Sequence, residues 1–86
     1  MGYKVAFMPE AEEDLASLDQ GVARRILLKV AWLARNFESV VPDPLSGGFR
    51  GLFKLRVGNY RVIYSASSSE LMITIHAVGH RRDIYK

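Results

Sequence analysis

The chain is predicted to fold as an α+β domain in the order strand, helix, helix, strand, strand, strand, with a mainly antiparallel four-stranded sheet and a helical hairpin on one face. Three observations predict it. Residues alternate in apolarity at 3–8, 53–64 and 71–78, apolar residues recur at helical spacing between 9 and 37, and the last three strands follow one another through short connections that favour a meander. The 86 residues form a single domain, 1–86. A chain of this size buries only about 60% of the surface it exposes when unfolded.

Residues 3–8, Tyr-Lys-Val-Ala-Phe-Met, read as a short strand, and Pro9 suits the first turn of a helix, where its missing N–H costs nothing. Glu10, Glu12, Glu13 and Asp14 complement the positive end of the helix dipole, which gives this acidic cluster a structural role. Ala11, Leu15 and Leu18 form its buried stripe. Asp19, Gln20 and Gly21 interrupt the pattern before a longer helix, in which Val22, Ile26, Val30, Leu33 and Phe37 share one face. Leu28 and Trp32 fall roughly opposite, among Arg24, Arg25 and Arg35. They need a partner surface, either the first helix or an apolar segment of another chain. Residues 38–51 read as a loop, punctuated by Pro42, Pro44, Ser46, Gly47, Gly48 and Gly51.

The segment Phe53-Lys54-Leu55-Arg56-Val57-Gly58-Asn59-Tyr60-Arg61-Val62-Ile63-Tyr64 is a hairpin closed by a two-residue primed turn at Gly58-Asn59. The expected register sets Val57 opposite Tyr60, Arg56 opposite Arg61, Leu55 opposite Val62 and Lys54 opposite Ile63. Alternation then puts Phe53, Leu55, Val57, Tyr60, Val62 and Tyr64 on a core face and Lys54, Arg56 and Arg61 on the other. Two arginines directly opposite repel by an amount comparable to the roughly 0.2–1 kcal/mol of a cross-strand pair, so the arrangement invites an anion. The hairpin holds no acidic residue to supply it.

Residues 65–70 read as a turn and 71–78 as the last strand, with Leu71, Ile73, Ile75 and Ala77 toward the helices and Met72, Thr74, His76 and Val78 on the open face. Gly79 then releases a cationic tail, His80-Arg81-Arg82-Asp83-Ile84-Tyr85-Lys86.

Residues 1–49 hold five Lys or Arg against seven Asp or Glu, a net −2, whereas residues 50–86 hold seven against two, a net +5. The charge belongs to the C-terminal strands and tail, as on a phosphate-binding surface. The chain has no cysteine, which removes disulfides and thiol chemistry, and its two histidines do not make a zinc site alone. No apolar run is long enough for a membrane span or a signal peptide, so a soluble cytoplasmic protein is expected. The open face has neither the carboxylate pair of a glycosidase nor a phosphate-cradling Gly-rich loop. What remains is binding or cleaving a phosphodiester, for which arginine forks, an amine and an aromatic ring are suited.

The run Lys54-Leu55-Arg56-Val57-Gly58-Asn59-Tyr60-Arg61-Val62-Ile63-Tyr64, followed by Val78-Gly79-His80-Arg81-Arg82-Asp83-Ile84-Tyr85, resembles the RelE/ParE superfamily of type II toxins, in particular its RelE branch. The resemblance spans essentially the whole chain, including the Pro-started acidic helix and the Phe49-Arg50-Gly51 step before the hairpin. It implies a RelE-like fold and a toxin that cleaves messenger RNA in the ribosomal A site and is silenced by a cognate antitoxin. Carried over by position, it makes Lys54, Arg61, Arg81 and Tyr85 catalytic, with Arg50 and Arg56 in supporting basic positions. His76, His80, Arg82 and Lys86 join them as RNA-binding candidates, and Leu28 and Trp32 as antitoxin-binding candidates. The chain departs from the pattern at Leu52, where a second lysine often stands, and at His80, where another basic residue stands.

RNA carries its own nucleophile, the ribose 2′-hydroxyl, so the expected reaction is metal-free and needs no cofactor. Lys54 and Arg61 would hold the charge that develops on phosphorus, Arg81 would act at the leaving oxygen, and Tyr85 would orient the nucleotide. With Leu52 in place of a lysine, Lys54 is a candidate base, and the general base stays open. The expected partners are a cognate antitoxin and a ribosome with mRNA in its A site, with no membrane. A ParE-like inhibitor of DNA gyrase and a non-catalytic RNA-binding module are the alternatives.

Overall fold

The computed structural model describes residues 2–45 and 50–84. The chain forms strand β1 (Lys4–Phe7), helices α1 (Pro9–Ala16) and α2 (Gln20–Asn36), a 3-10 turn (Phe37–Ser39), a two-residue strand β2 (Asp43–Pro44), and strands β3 (Phe53–Val57), β4 (Tyr60–Ser67) and β5 (Met72–His80). In the sheet they lie in the order β1-β5-β4-β3-β2. The β1–β5 pair is parallel and the others antiparallel. The predicted α+β architecture holds, with five strands among the described residues in place of four.

The fifth strand comes from the stretch read as a loop. A residue before proline is pushed toward extended backbone, and Asp43 precedes Pro44. The two pair with β3, Asp43 opposite Lys54 and Pro44 opposite Phe53. Proline has no N–H to give a further strand, which fits this pair to the sheet edge.

Pro9 opens α1 as expected, and α2 begins at Asp19, whose Oδ2 accepts the Gly21 N–H at 3.1 Å. Ala11, Ile26, Val30 and Leu33 from the helices meet Val62, Tyr64, Ile73, Ile75 and Val78 from the sheet. Tyr64 is the largest fully buried side chain, with Phe53 and Phe37 ring centroids 5.6 and 6.2 Å from its own. Both helices cover this one face, and the other is left open. No helix among the described residues is long and apolar enough to cross a membrane.

The last strand corrects the expected alternation. Tyr64 pairs with Ile75 but Ile63 pairs with Ala77, so His76 is an extra residue in β5, a β-bulge. Ile73 and Ile75 face the helices as predicted, but beyond the bulge the parity reverses: Val78, expected on the open face, lies in the core at 4% exposure. Ala77 and Gly79 take the open face instead, opposite Ile63 and Arg61. The strand also runs on through Gly79 to His80, two residues beyond the expected end at Val78. At its other end, Leu71 belongs to the turn, with left-handed backbone (φ 53°), while β4 extends to Ser67.

One of the four helix acids acts on this strand. Asp14 Oδ2 accepts the Val78 N–H at 2.9 Å, two residues past the bulge. Removing the carboxylate leaves a part-buried donor unpaired, so Asp14→Ala should lower the unfolding free energy by about 1–3 kcal/mol in urea titration. Glu10→Ala, at an exposed position of the same helix, should change it by no more than about 0.5 kcal/mol.

Candidate nucleic-acid interface

The hairpin that carries the cations has the predicted register, with Arg56 opposite Arg61, Lys54 opposite Ile63, Leu55 opposite Val62 and Val57 opposite Tyr60. Gly58 supplies φ +58° while Asn59 stays outside the left-handed region, which matches a primed turn with glycine in its first central position. Alternation from the buried Val62 and Tyr64 places Lys54, Arg56 and Arg61 together on the open face.

These three side chains and Asp43 line a depression of about 240 Å³ that opens to solvent. It is below the roughly 300–1,000 Å³ of small-molecule pockets and suits a group the size of a phosphate. Arg56 is exposed, and Arg61 is half-buried with its Nη1 donating to the Tyr60 carbonyl at 3.2 Å. That bond fixes one edge of the guanidinium and leaves its other donors for a ligand.

Asp43 is the residue that sequence reasoning missed. Its Oδ2 lies 3.9 Å from Lys54 Nζ, with the two side chains 65% and 37% exposed. At that distance and exposure the pair is weak and screened. Among the described residues neither Arg56 nor Arg61 forms an ion pair. The cations therefore face solvent with one carboxylate at their rim. Burial, with a smaller contribution from the Asp43 charge, raises the Tyr64 phenol above its ordinary 10.0, which keeps it protonated.

The other candidates divide. Arg81 is exposed, and its N–H donates to the Asn59 carbonyl at 2.8 Å, so its main chain is tied to the hairpin tip two residues from Arg61. It does not line the depression. Arg50 and Arg82 are exposed in turns. His76, on the bulge, is hydrogen-bonded through Nε2 to Ser65 Oγ at 2.8 Å and also does not line the depression. His80 pairs with Tyr60 across the strands and stacks edge-on to its ring at 5.4 Å, so the bulge has turned it to the helix side, away from the cations. Its Nδ1 accepts the Arg82 N–H at 3.2 Å. Tyr85 and Lys86 lie outside the described residues.

On the opposite side of the molecule, Leu28 and Trp32 are 62% and 39% exposed. They are not buried against α1. Lys29 Nζ sits 4.0 Å from the Trp32 ring centroid, a cation–π contact that orders the indole at the surface.

Residues 5–85 match the family model described as the ParE toxin of the type II toxin–antitoxin system parDE. Toxin RelG of Mycobacterium tuberculosis is 34% identical, over 100% of this chain and 99% of its own length. The fold is similar to that in the toxin–antitoxin complex RelBE2 of the same organism, at a TM-score of 0.81 and 29% identity over 96% of this chain and 95% of that one. It is also similar to a mutant of the E. coli toxin RelE in the free state, at a TM-score of 0.79 and 16% identity over 99% and 90%, a likeness of fold alone. Together these define a toxin of a type II toxin–antitoxin system. Within that class the chain belongs to the RelE/ParE superfamily.

Proposed function

We propose that this toxin is a ribosome-dependent endoribonuclease that cleaves mRNA in the A site by metal-free attack of a ribose 2′-hydroxyl. The observation that carries the reading is the open-face depression, where Lys54, Arg56 and Arg61 converge, open to solvent, with one screened carboxylate at their rim. A phosphodiester bent for in-line attack gathers negative charge on its phosphorane oxygens, and cations held in place before the reaction stabilise that charge as it develops. Arg61, braced on its own strand, and Lys54, diagonal to it on the facing strand, take this role. Arg81 acts from the adjoining turn at the leaving oxygen, and Tyr85 orients the nucleotide. As the proposed base Lys54 takes the 2′-hydroxyl proton, and the ammonium formed in that step then joins Arg61 in holding the phosphorane charge, with the ribosome supplying the alignment that so small a site lacks. Arg50, Arg56, Arg82 and Lys86 track the RNA backbone, with His76 at the periphery.

The reaction predicts its own products. Cleavage by 2′-hydroxyl attack leaves a 2′,3′-cyclic phosphate upstream and a 5′-hydroxyl downstream. Mass spectrometry of fragments from programmed ribosomes should find both, and a 5′-phosphate with a 3′-hydroxyl would mean attack by water instead.

The partner that silences the toxin is a cognate antitoxin, as the similar fold solved within the complex RelBE2 supports. Leu28 and Trp32 offer it an apolar anchor on α2, remote from the cation face. A ParE-like action on DNA gyrase is the second reading, favoured by the family model that the chain matches. The basic depression favours the first.

A further inference from the structure

Gly79 is a glycine for a reason its backbone does not supply. It lies inside β5, and its φ is outside the left-handed region, so any residue could adopt its conformation. What bears on it is a neighbour that a side chain would have to displace. Residues directly opposite on antiparallel strands share a face, so a side chain at position 79 would rise from the open face beside Arg61. Ile84 already stands there: a Cβ on Gly79 would lie 3.3 Å from Ile84 Cδ1 and 3.8 Å from Ile84 Cβ. The chain doubles back after β5 and lays an apolar side chain over the bare backbone of the strand it has just left.

The turn that makes this return is tied at both ends. The Asp83 and Ile84 N–H groups donate to the His80 carbonyl at 2.8 and 3.1 Å, and the Arg81 N–H donates to the Asn59 carbonyl at 2.8 Å. Arg81, Arg82 and Asp83 are exposed, whereas Ile84 is half-buried. Ile84 over Gly79 is thus an apolar contact in a turn whose three preceding residues, Arg81, Arg82 and Asp83, are charged.

We propose that Gly79 and Ile84 form a latch, a missing side chain beneath a large one, that positions Arg81 at the edge of the cation face. Both are positioning residues. The consequence for catalysis rests on the ribonuclease reading, whereas the latch itself is a property of the fold.

Ile84→Ala in the full chain tests it without disturbing the sheet. Amide hydrogen exchange at positions 81 and 84 should quicken at least about tenfold while the core amides of Ile73 and Ile75 keep their rates. On programmed ribosomes kcat should fall about 10- to 100-fold with a smaller change in KM, as for a displaced group. Gly79→Val should act alike by pushing Ile84 off. Combining the two moves bulk from one partner to the other and should recover part of the loss, a coupling that independent sites do not show. Unchanged exchange at position 81 in Ile84→Ala, or strictly additive losses in the pair, would overturn the latch. If the unaltered toxin cuts no RNA, the ribonuclease reading fails and exchange alone decides: faster exchange still supports the latch, and unchanged exchange still overturns it.

Discussion

Arg61→Ala is expected to slow A-site mRNA cleavage by about 100- to 1000-fold, or about 3–4 kcal/mol of transition-state stabilisation. The expectation follows from where Arg61 stands. Like Lys54 it is half-buried, but it alone of the three is braced by a bond to a carbonyl, that of Tyr60, and it is set directly opposite Arg56. A guanidinium held in this way need not reorganise when charge appears on phosphorus. Arg61→Lys separates charge from shape, because an ammonium keeps the charge but not the planar fork, and an intermediate rate is expected. Single-turnover cleavage on programmed ribosomes measures both. Removing a like charge opposite Arg56 also relieves repulsion, so Arg61→Ala should leave the fold no less stable than before. A large loss of activity with an unchanged melting temperature separates a site residue from a structural one.

The second large effect is expected at the far side of the molecule. Leu28→Asp with Trp32→Ala should weaken antitoxin binding by about 100- to 1000-fold, since buried aromatic anchors commonly contribute about 2 kcal/mol or more each and every 1.4 kcal/mol is tenfold. Both side chains are exposed in the free chain, so the double variant should fold normally. Cleavage should persist, because neither residue approaches the cation face. Calorimetric titration with the antitoxin gives the affinity. An undiminished affinity would place the antitoxin elsewhere.

Much of the site was legible because its main element is local. A hairpin closed by Gly58-Asn59 has few alternative registers, and one residue of slip would bury Arg56 and Arg61, so the alternation from Phe53 to Tyr64 settles both pairing and facing. The helices were legible for a similar reason, with Pro9 marking the first, although Gln20 and Gly21, assigned with Asp19 to the break between the helices, belong to α2 behind its cap Asp19. What escaped depends on contacts distant in sequence. The bulge at His76 adds one residue with no compositional mark, and Asp14, about sixty positions earlier, accepts the N–H of Val78 just beyond it. From that single insertion follow the burial of Val78, the turning of His80 away from the cations and the bare surface at Gly79. Asp43 escaped because a loop residue has no register until its strand partner is known. Its place before Pro44 was the one local sign that it would lie extended.

Two actions remain distinguishable for a toxin of this superfamily, and they leave different scars in a cell. The cation face is proposed to receive RNA. Sequencing RNA 5′ ends after a brief pulse of expression, with chromosome integrity scored in the same culture, tests it most directly. New ends inside translated messages, in phase with A-site codons, are expected alongside an unbroken chromosome. Intact messages accompanied by chromosome breaks and a DNA-damage response would contradict it.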